Sequence, residues 1–259
     1  MHIVITGASS GIGAALAREL GDDPADTLTL IARRREATER VARGLAAKCF
    51  VVTHDLSDEG VATSWIAEAE EQGGPIDVMI NNAGVENIGY AYDADPDQGL
   101  SLLRTNVLSP MLIARALLPA MIARHGGTIV NIASVAAFAA MPLQAWYGAS
   151  KAALATFSEV LHAEVARHGV NVVTVYPGPI KTAMSDAAYE VYGGRKGVVG
   201  LLPEGSPVRL ARLVRRAIER KRARVVYPSF YELGRLMPWL ARWLGDRTTL
   251  RAHPRTARD

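Results

Sequence analysis

Cysteine is almost missing from this chain. Cys49 stands alone in the apolar run Cys49-Phe50-Val51-Val52. A single thiol excludes a disulfide framework and a cysteine-based metal site, and in such a run it reads as a small buried hydrophobe. The six histidines, at 2, 54, 125, 162, 168 and 253, form no ligand cluster, with only His162 and His168 sharing a helix, so no metal is expected. No apolar stretch approaches the roughly 20 residues that a membrane-spanning helix needs. No secretory leader is expected either, since the first strand reads from residue 3. Linkers, internal repeats and low-complexity segments are absent as well. What remains is a chain of 259 residues with 49% hydrophobic content, enough for a large core. A soluble, cytoplasmic protein is the expectation.

Strand signals fall at 3–6, 27–32, 49–53, 76–80, 127–132, 170–175 and 224–227, and helical periods at about 11–20, 36–47, 58–72, 97–123, 147–168 and 207–221. Strands alternating with helices predict an α/β fold: one doubly wound domain over 1–259, with a seven-stranded parallel sheet covered on both faces. Ligands in such sheets bind at the carboxyl ends of the strands.

The first of those ends carries Thr6-Gly7-Ala8-Ser9-Ser10-Gly11-Ile12-Gly13, between the apolar run Ile3-Val4-Ile5 and a helix marked by Ile12, Leu16 and Leu20. A strand, a glycine-rich turn and a helix N-terminus make an anion site, because free N–H groups and the helix dipole converge on a phosphate. The octet alone would also fit a purely structural turn. Further along, Tyr147 and Lys151 stand four residues apart, with Ser134 upstream. On a helix they project side by side. A neighbouring ammonium favours phenolate and lowers a tyrosine's pKa, giving a group able to exchange a proton with a substrate oxygen near neutral pH. Such a pair also arises by chance on a solvated face.

Taken together, Thr6-Gly7-x-x-x-Gly11-x-Gly13, Asn81-Asn82-Ala83-Gly84, Asn106, Ser134, Tyr147-x-x-x-Lys151 and Pro177-Gly178 resemble the short-chain dehydrogenase/reductase family, in its order and spacing, over residues 3 to about 182. The resemblance implies a Rossmann-like fold, a nicotinamide cofactor and hydride transfer between a carbonyl and an alcohol. It implies Tyr147 as proton donor or acceptor, Ser134 as the donor to the reacting oxygen, and Lys151 on the nicotinamide ribose. Asn106 would support a water leading protons to Lys151. Gly7, Ser9, Ser10, Gly11, Ile12 and Gly13 would hold the cofactor's phosphates, and Asn82, Ala83 and Gly84 would pass close to its adenosine. Pro177, Gly178, Ile180 and Thr182 would meet the nicotinamide. Asp55-Leu56 falls at the family's position beside the adenine. Asp55 could equally cap the helix expected near 58. A homodimer or homotetramer is implied, and residues 183–203, with Gly193, Gly194, Gly197 and Gly200, fall where the family keeps a mobile substrate lid.

Cofactor choice turns on the residues just after the second strand. An acid there suits the ribose diol of NAD, whereas a 2′-phosphate wants arginine. Leu28-Thr29-Leu30-Ile31-Ala32 runs into Arg33-Arg34-Arg35, with no acid before Glu36. NADP is therefore expected, through Arg33 first and Arg34 second, with NAD still possible. The Ser134–Tyr147 interval is apolar (Val135 to Phe138, Ala139, Ala140, Met141, Leu143, Trp146) with Gln144 as its polar side chain, which favours an apolar ketone, alcohol or acyl chain. Glu86, just past Asn81-Asn82-Ala83-Gly84, reads as a solvated rim residue first and as a substrate contact second.

Residues 203–259 hold fourteen Arg or Lys against five acids. Inside the basic extension 228–259, Phe230, Leu233, Met237, Leu240 and Leu244 recur as in an amphipathic helix, with Trp239 and Trp243 beside them and Pro238 as a break. Three partners fit this stripe: the pocket or a second subunit, a membrane surface through 230–244, and, least well, nucleic acid. Two functions stay open, an NADP-dependent oxidoreductase and a non-catalytic NADP-binding redox sensor or scaffold.

Overall fold

Seven short runs of branched residues, each ending in a turn, become the strands β1 (His2–Thr6), β2 (Thr27–Ala32), β3 (Lys48–Thr53), β4 (Val78–Asn81), β5 (Thr128–Ile132), β6 (Asn171–Pro177) and β7 (Arg224–Tyr227) in the computed structural model. It describes residues 1–58, 60, 62–139, 141–192, 194, 202–237, 239 and 243. All seven strands are parallel, in the order β3-β2-β1-β4-β5-β6-β7. The period of two divides each strand between two cores. Ile3 and Ile5 face one cluster with Leu16, Leu20, Val41, Leu210 and Val214. Val4 faces the other, with Ala69, Ile113, Leu117, Met121 and Leu161. Helices α1 (Gly11–Leu20), α2 (Arg35–Ala42) and α8 (Pro207–Glu219) thus cover one face, and α3 (Ile66–Gly73), α5 (Ser109–Ala123) and α6 (Ala145–Val165) the other. The order reverses between β1 and its neighbours β2 and β4, so a crevice opens beyond Thr6 and Asn81.

Several helix bounds differ from expectation. α2 stops at Ala42 rather than 47, because the Ala46 and Ala47 amides turn back to the Gly21 carbonyl. α3 begins at Ile66 rather than 58, after a series of turns. The helix expected over 97–123 is three pieces, α4 (Pro96–Leu103), a π-helical turn (Arg104–Leu108) and α5. α4 starts on Asp95, whose carboxylate accepts from the Asp97 amide, with Pro96 at the first helical position. An unexpected helix, α7 (Ala183–Val191), occupies the start of the stretch read as aperiodic. α9 (Glu232–Leu236) is short, and Met237 turns out of the helix before Pro238.

The expectation that no apolar stretch reaches spanning length also needs correction. Pro96–Ala123 forms 28 continuous helical residues with a mean hydropathy of 1.5 in its most apolar window, 44% of which is buried. By length and composition it passes as a span. Its inner side chains Ile113, Leu117 and Met121 pack on the sheet, as in a core helix.

Candidate active site

One wall of the crevice is backbone. Gly7 and Gly11 take φ of +67° and +56°, which L side chains resist. A Cβ on Gly13 would lie 2.2 Å from the Gly7 carbonyl oxygen, and one on Gly7 would lie 2.9 Å from Ala83 Cα. The turn after β1 therefore presses on the turn after β4. The Thr6 hydroxyl accepts from the Asn82 and Ala83 amides, each at 3.0 Å, and Asn82 Nδ2 donates to the Thr6 carbonyl at 2.9 Å. Ser10 precedes α1 in extended conformation and its side chain makes no cap. The first turn of α1 is left with amides for an anion.

Arg34 reaches this turn, its Nη2 donating to Ser9 Oγ (3.1 Å) and Ser10 Oγ (2.9 Å). Arg33 lies 3.9 Å from Asp55, both side chains well exposed. Asp55 Oδ1 accepts from the amide and hydroxyl of Ser57, and these bonds, the amide first, hold its carboxyl below the ordinary range. α3 starts at Ile66, so the reading of Asp55 as that helix's cap is corrected: it closes its own turn. Leu56 is buried beside it and also lines the crevice.

The opposite wall carries the ionisable groups. Tyr147 and Lys151 lie on α6, with Lys151 Nζ 5.8 Å from the centre of the Tyr147 ring and donating to the Ile132 carbonyl at 2.9 Å. Ser134 ends the turn after β5, accepting from the Ala136 amide at 3.1 Å. Asn106, fully buried in the π-helical turn, spans the gap between β4 and α6. Its Oδ1 accepts from the Val85 amide, and its Nδ2 donates to the Val85 carbonyl and to Ser150 Oγ. A Cβ on Gly84 would lie 3.2 Å from Asn106 Oδ1 and 3.3 Å from Lys151 Nζ, so Asn106 and Lys151 meet over this glycine.

The electrostatics overturn one expectation. Tyr147 is not made more acidic here: its pKa stands well above the ordinary value. Enclosure by the crevice walls is the main cause and the charge of Glu86 adds to it, while the neighbouring Ser134 hydroxyl works the other way. Burial also pulls Lys151 down to about 8, against the favourable charge of Glu86.

The rim reading of Glu86 is corrected too. Glu86 lines the crevice rather than a solvated rim, with Oε1 accepting from Gln144 Nε2 at 2.7 Å. Burial raises its pKa to about 7, opposed by the charge of Lys151. Sequence reading also missed Tyr192, at the end of α7, whose hydroxyl donates to the Pro142 carbonyl at 2.7 Å.

At the end of β6 and beyond, Pro177, Gly178 and Ile180 line the crevice, and Thr182 caps α7 by accepting from the Ser185 amide at 3.3 Å. Gly178 has no room for a side chain: a Cβ would meet the Tyr231 ring at 2.5 Å. Phe230, Leu233 and Met237 of the expected stripe line the mouth, whereas Leu240 and Leu244 lie outside the described residues. So do Ala140 and, in the expected lid, Gly193, Gly197 and Gly200. Among the described residues no group of His, Cys, Asp and Glu could hold a metal ion. The crevice measures about 1490 Å³. That exceeds the ~300–1,000 Å³ of an ordinary small-ligand site, as a space for both a dinucleotide and a second molecule would. The glycine cradle, the free amides of α1 and Arg34 suit the phosphates of the first.

Residues 1–192 match the model of the short chain dehydrogenase family. The chain is 37% identical over 235 residues to Dehydrogenase/reductase SDR family member 7B of Bos taurus, covering 86% of this chain and 72% of that protein. Its fold is similar to the crystal structure of a short-chain dehydrogenase from Streptomyces avermitilis, with a TM-score of 0.79, 29% identity and 93% of each chain covered. A metagenomic short-chain oxidoreductase solved in complex with NADP gives a TM-score of 0.73 at 29% identity, over 87% of this chain and 96% of that one.

Proposed function

This chain belongs to the short-chain dehydrogenase family, and from that premise we propose that it reduces an apolar ketone to an alcohol, with NADPH preferred over NADH. The observation that carries the reading is the meeting of Ser134, Tyr147 and Lys151 in one crevice with the glycine cradle. A bound nicotinamide supplies the hydride. The protein's own part is to hold the carbonyl and to give it a proton. Tyr147, whose raised pKa keeps its proton at neutral pH, donates it to the substrate oxygen as the alcohol forms. Ser134 donates a hydrogen bond to the same oxygen and stabilises the charge that develops there. Lys151, charged below about pH 8, stabilises the tyrosinate left behind until the proton is restored. A phenol that holds its proton suits reduction better than oxidation. Asn106 keeps Val85 and Ser150, and with them the two sides of the site, in register.

The preference for NADPH rests on Arg33 and Arg34 and on the missing acid before Glu36. Both arginines line the crevice, and Arg34 already reaches the serines of the phosphate turn. The apolar substrate rests on Val135, Phe138, Met141, Met184 and Val191, which line the other end. In this reading the C-terminal segment covers the pocket, supported by Phe230, Leu233 and Met237 in the lining of the crevice. A membrane surface is the alternative partner, favoured by the exposure of Phe230, Leu233, Leu236, Trp239 and Trp243. Co-sedimentation with anionic vesicles, released by salt, would support that alternative.

Incubation with a panel of apolar ketones, following the absorbance of the reduced nicotinamide with each cofactor, tests the reading. Turnover that is faster with NADPH supports it. Cofactor binding without turnover of any ketone or alcohol would favour a redox sensor instead.

A further inference from the structure

Two loops meet at the substrate end of the crevice. The Gly89 amide donates to the Leu143 carbonyl at 2.8 Å, tying the segment after β4 to the segment before α6. Leu143 is buried with φ of +69°, a left-handed conformation that a branched side chain rarely adopts. Strain of this kind persists only where the surroundings enforce it, and here it carries the next residue, Gln144, to Glu86. Asn106 grips Val85 by both its amide and its carbonyl, fixing the residue just before Glu86. Tyr192 binds α7 to Pro142 in the same loop. Glu86 thus sits between a fixed neighbour, Val85, and a loop tied down at Pro142 and Leu143, with Gln144 on its carboxyl.

One oxygen of this carboxyl is partnered by Gln144. Oε2 is not among the buried polar atoms left without a partner, so it opens on the crevice that Glu86 lines. A carboxyl oxygen that opens on the crevice can accept a hydrogen bond from a ligand bound there. Glu86 lines the same crevice as Tyr147 and Lys151, and its charge acts on both. We infer that Glu86, oriented by Gln144, is the substrate-reading residue: it accepts a hydrogen bond from a hydroxyl carried one or two carbons from the carbonyl of an otherwise apolar ketone. This inference rests on the carbonyl-reductase reading above. Gln144 is a positioning residue that keeps the carboxyl turned inward.

The test is a set of matched ketones, medium-chain methyl ketones and the same ketones bearing a hydroxyl one or two carbons from the carbonyl. Each is assayed with wild type, Glu86→Leu, Glu86→Gln and Gln144→Leu. A site that expects a hydroxyl discriminates against the analogue lacking it. Wild type is expected to favour the hydroxy ketone by about ten- to a hundredfold in kcat/KM, the ratio one charge-assisted hydrogen bond supports. Glu86→Leu brings the two ketones of each pair to the same kcat/KM, whatever change common to both follows from losing a charge that acts on Tyr147 and Lys151. Glu86→Gln keeps part of it, since an amide oxygen still accepts, and Gln144→Leu weakens it. Equal rates on both ketones of each pair in the wild type would overturn the inference while leaving the reductase reading intact. So would an equal loss on both in Glu86→Leu, which marks a structural role. No turnover of either ketone by the wild type would overturn both readings.

Discussion

The two walls of the crevice are built from different material. The wall after β1 is backbone: Gly7 and Gly13 bring main chain against main chain, and Thr6 and Asn82 knit the two turns together. The wall formed by α6 and the loops around it is side chains: Tyr147, Lys151, Glu86 and Gln144. A backbone wall recognises what every nicotinamide dinucleotide shares, its phosphates, and it has no freedom to vary. A side-chain wall sets proton affinities and selects among substrates. Conformational restriction is thus concentrated at one end and electrostatic tuning at the other.

The sharpest way to separate the walls is Tyr147→Phe. The proton donor is lost while the ring, the helix and the backbone wall are kept. Turnover of the best ketone is expected to fall by about 10²–10⁴-fold, the usual worth of a positioned acid. Cofactor affinity should hold, and titration of NADPH against both proteins checks it. Near-normal turnover in the variant would remove Tyr147 from the mechanism.

At the edge of the backbone wall, Arg34→Ala and Arg33→Ala ask what the arginines contribute. Each is expected to weaken NADPH far more than NADH, by about 1.5–3 kcal/mol for a lost charge-assisted bond to phosphate. Arg34 should show the larger loss, since its guanidinium already lies on Ser9 and Ser10, whereas Arg33 is shared with Asp55. Calorimetric titration of both cofactors decides it, and equal losses for the two cofactors would sink the 2′-phosphate assignment.

The rigidity of the backbone wall has its own test in Gly13→Ala. The added methyl would meet the Gly7 carbonyl oxygen at 2.2 Å with main chain behind it, so the turn after β1 must deform. Overpacking of this kind costs about 1–3 kcal/mol. Both the melting temperature and cofactor affinity should fall. On the other wall, Met141→Leu conserves volume and should leave the melting temperature almost unmoved. Equal behaviour of the two variants would erase the contrast between the walls.

This contrast also decides what could be read in the sequence. The glycine turn and the Tyr147–Lys151 pair are local patterns, each contained within eight residues, and the seven-stranded parallel sheet follows from strands alternating with helices. The substrate wall is long-range. Glu86 and Gln144 are 58 positions apart, and nothing near Glu86 marks it as enclosed. The raised pKa of Tyr147 had the same origin: the adjacent lysine was visible, but the enclosure and the carboxyl that outweigh it were not. α7 was hidden for a simpler reason. Met184, Ala187, Ala188 and Val191 carry a helical period, but over only two turns and beside a glycine-rich run.

The smallest expected effect concerns the charge on the side-chain wall. Glu86 has its pKa raised from the ordinary 4.5 to about 7, chiefly by burial. A carboxyl whose folded pKa lies above its unfolded value binds more protons when folded, so its stabilising contribution is complete below pH 4.5 and lost as pH rises through about 7. Lys151 runs the other way in a separate window. Its folded value of about 8 lies below the ordinary 10.5, so its penalty is relieved only above pH 8. Tyr147 and Tyr192, the other groups that feel Glu86, are raised and keep their protons throughout the lower window. Between pH 5 and 7 the difference between wild type and Glu86→Gln therefore isolates this one carboxyl, because titrations common to both proteins cancel. The variant should gain in melting temperature relative to wild type as pH rises from 5 to 7, then hold a constant offset to about 8. Each kcal/mol corresponds to roughly 2–4 °C in a chain of this size. Partial exposure to the crevice will keep the shift to a few degrees. Parallel melting profiles across that interval would mean that Glu86 is solvated, and the distinction between the two walls would then rest on Tyr147 and Lys151 alone.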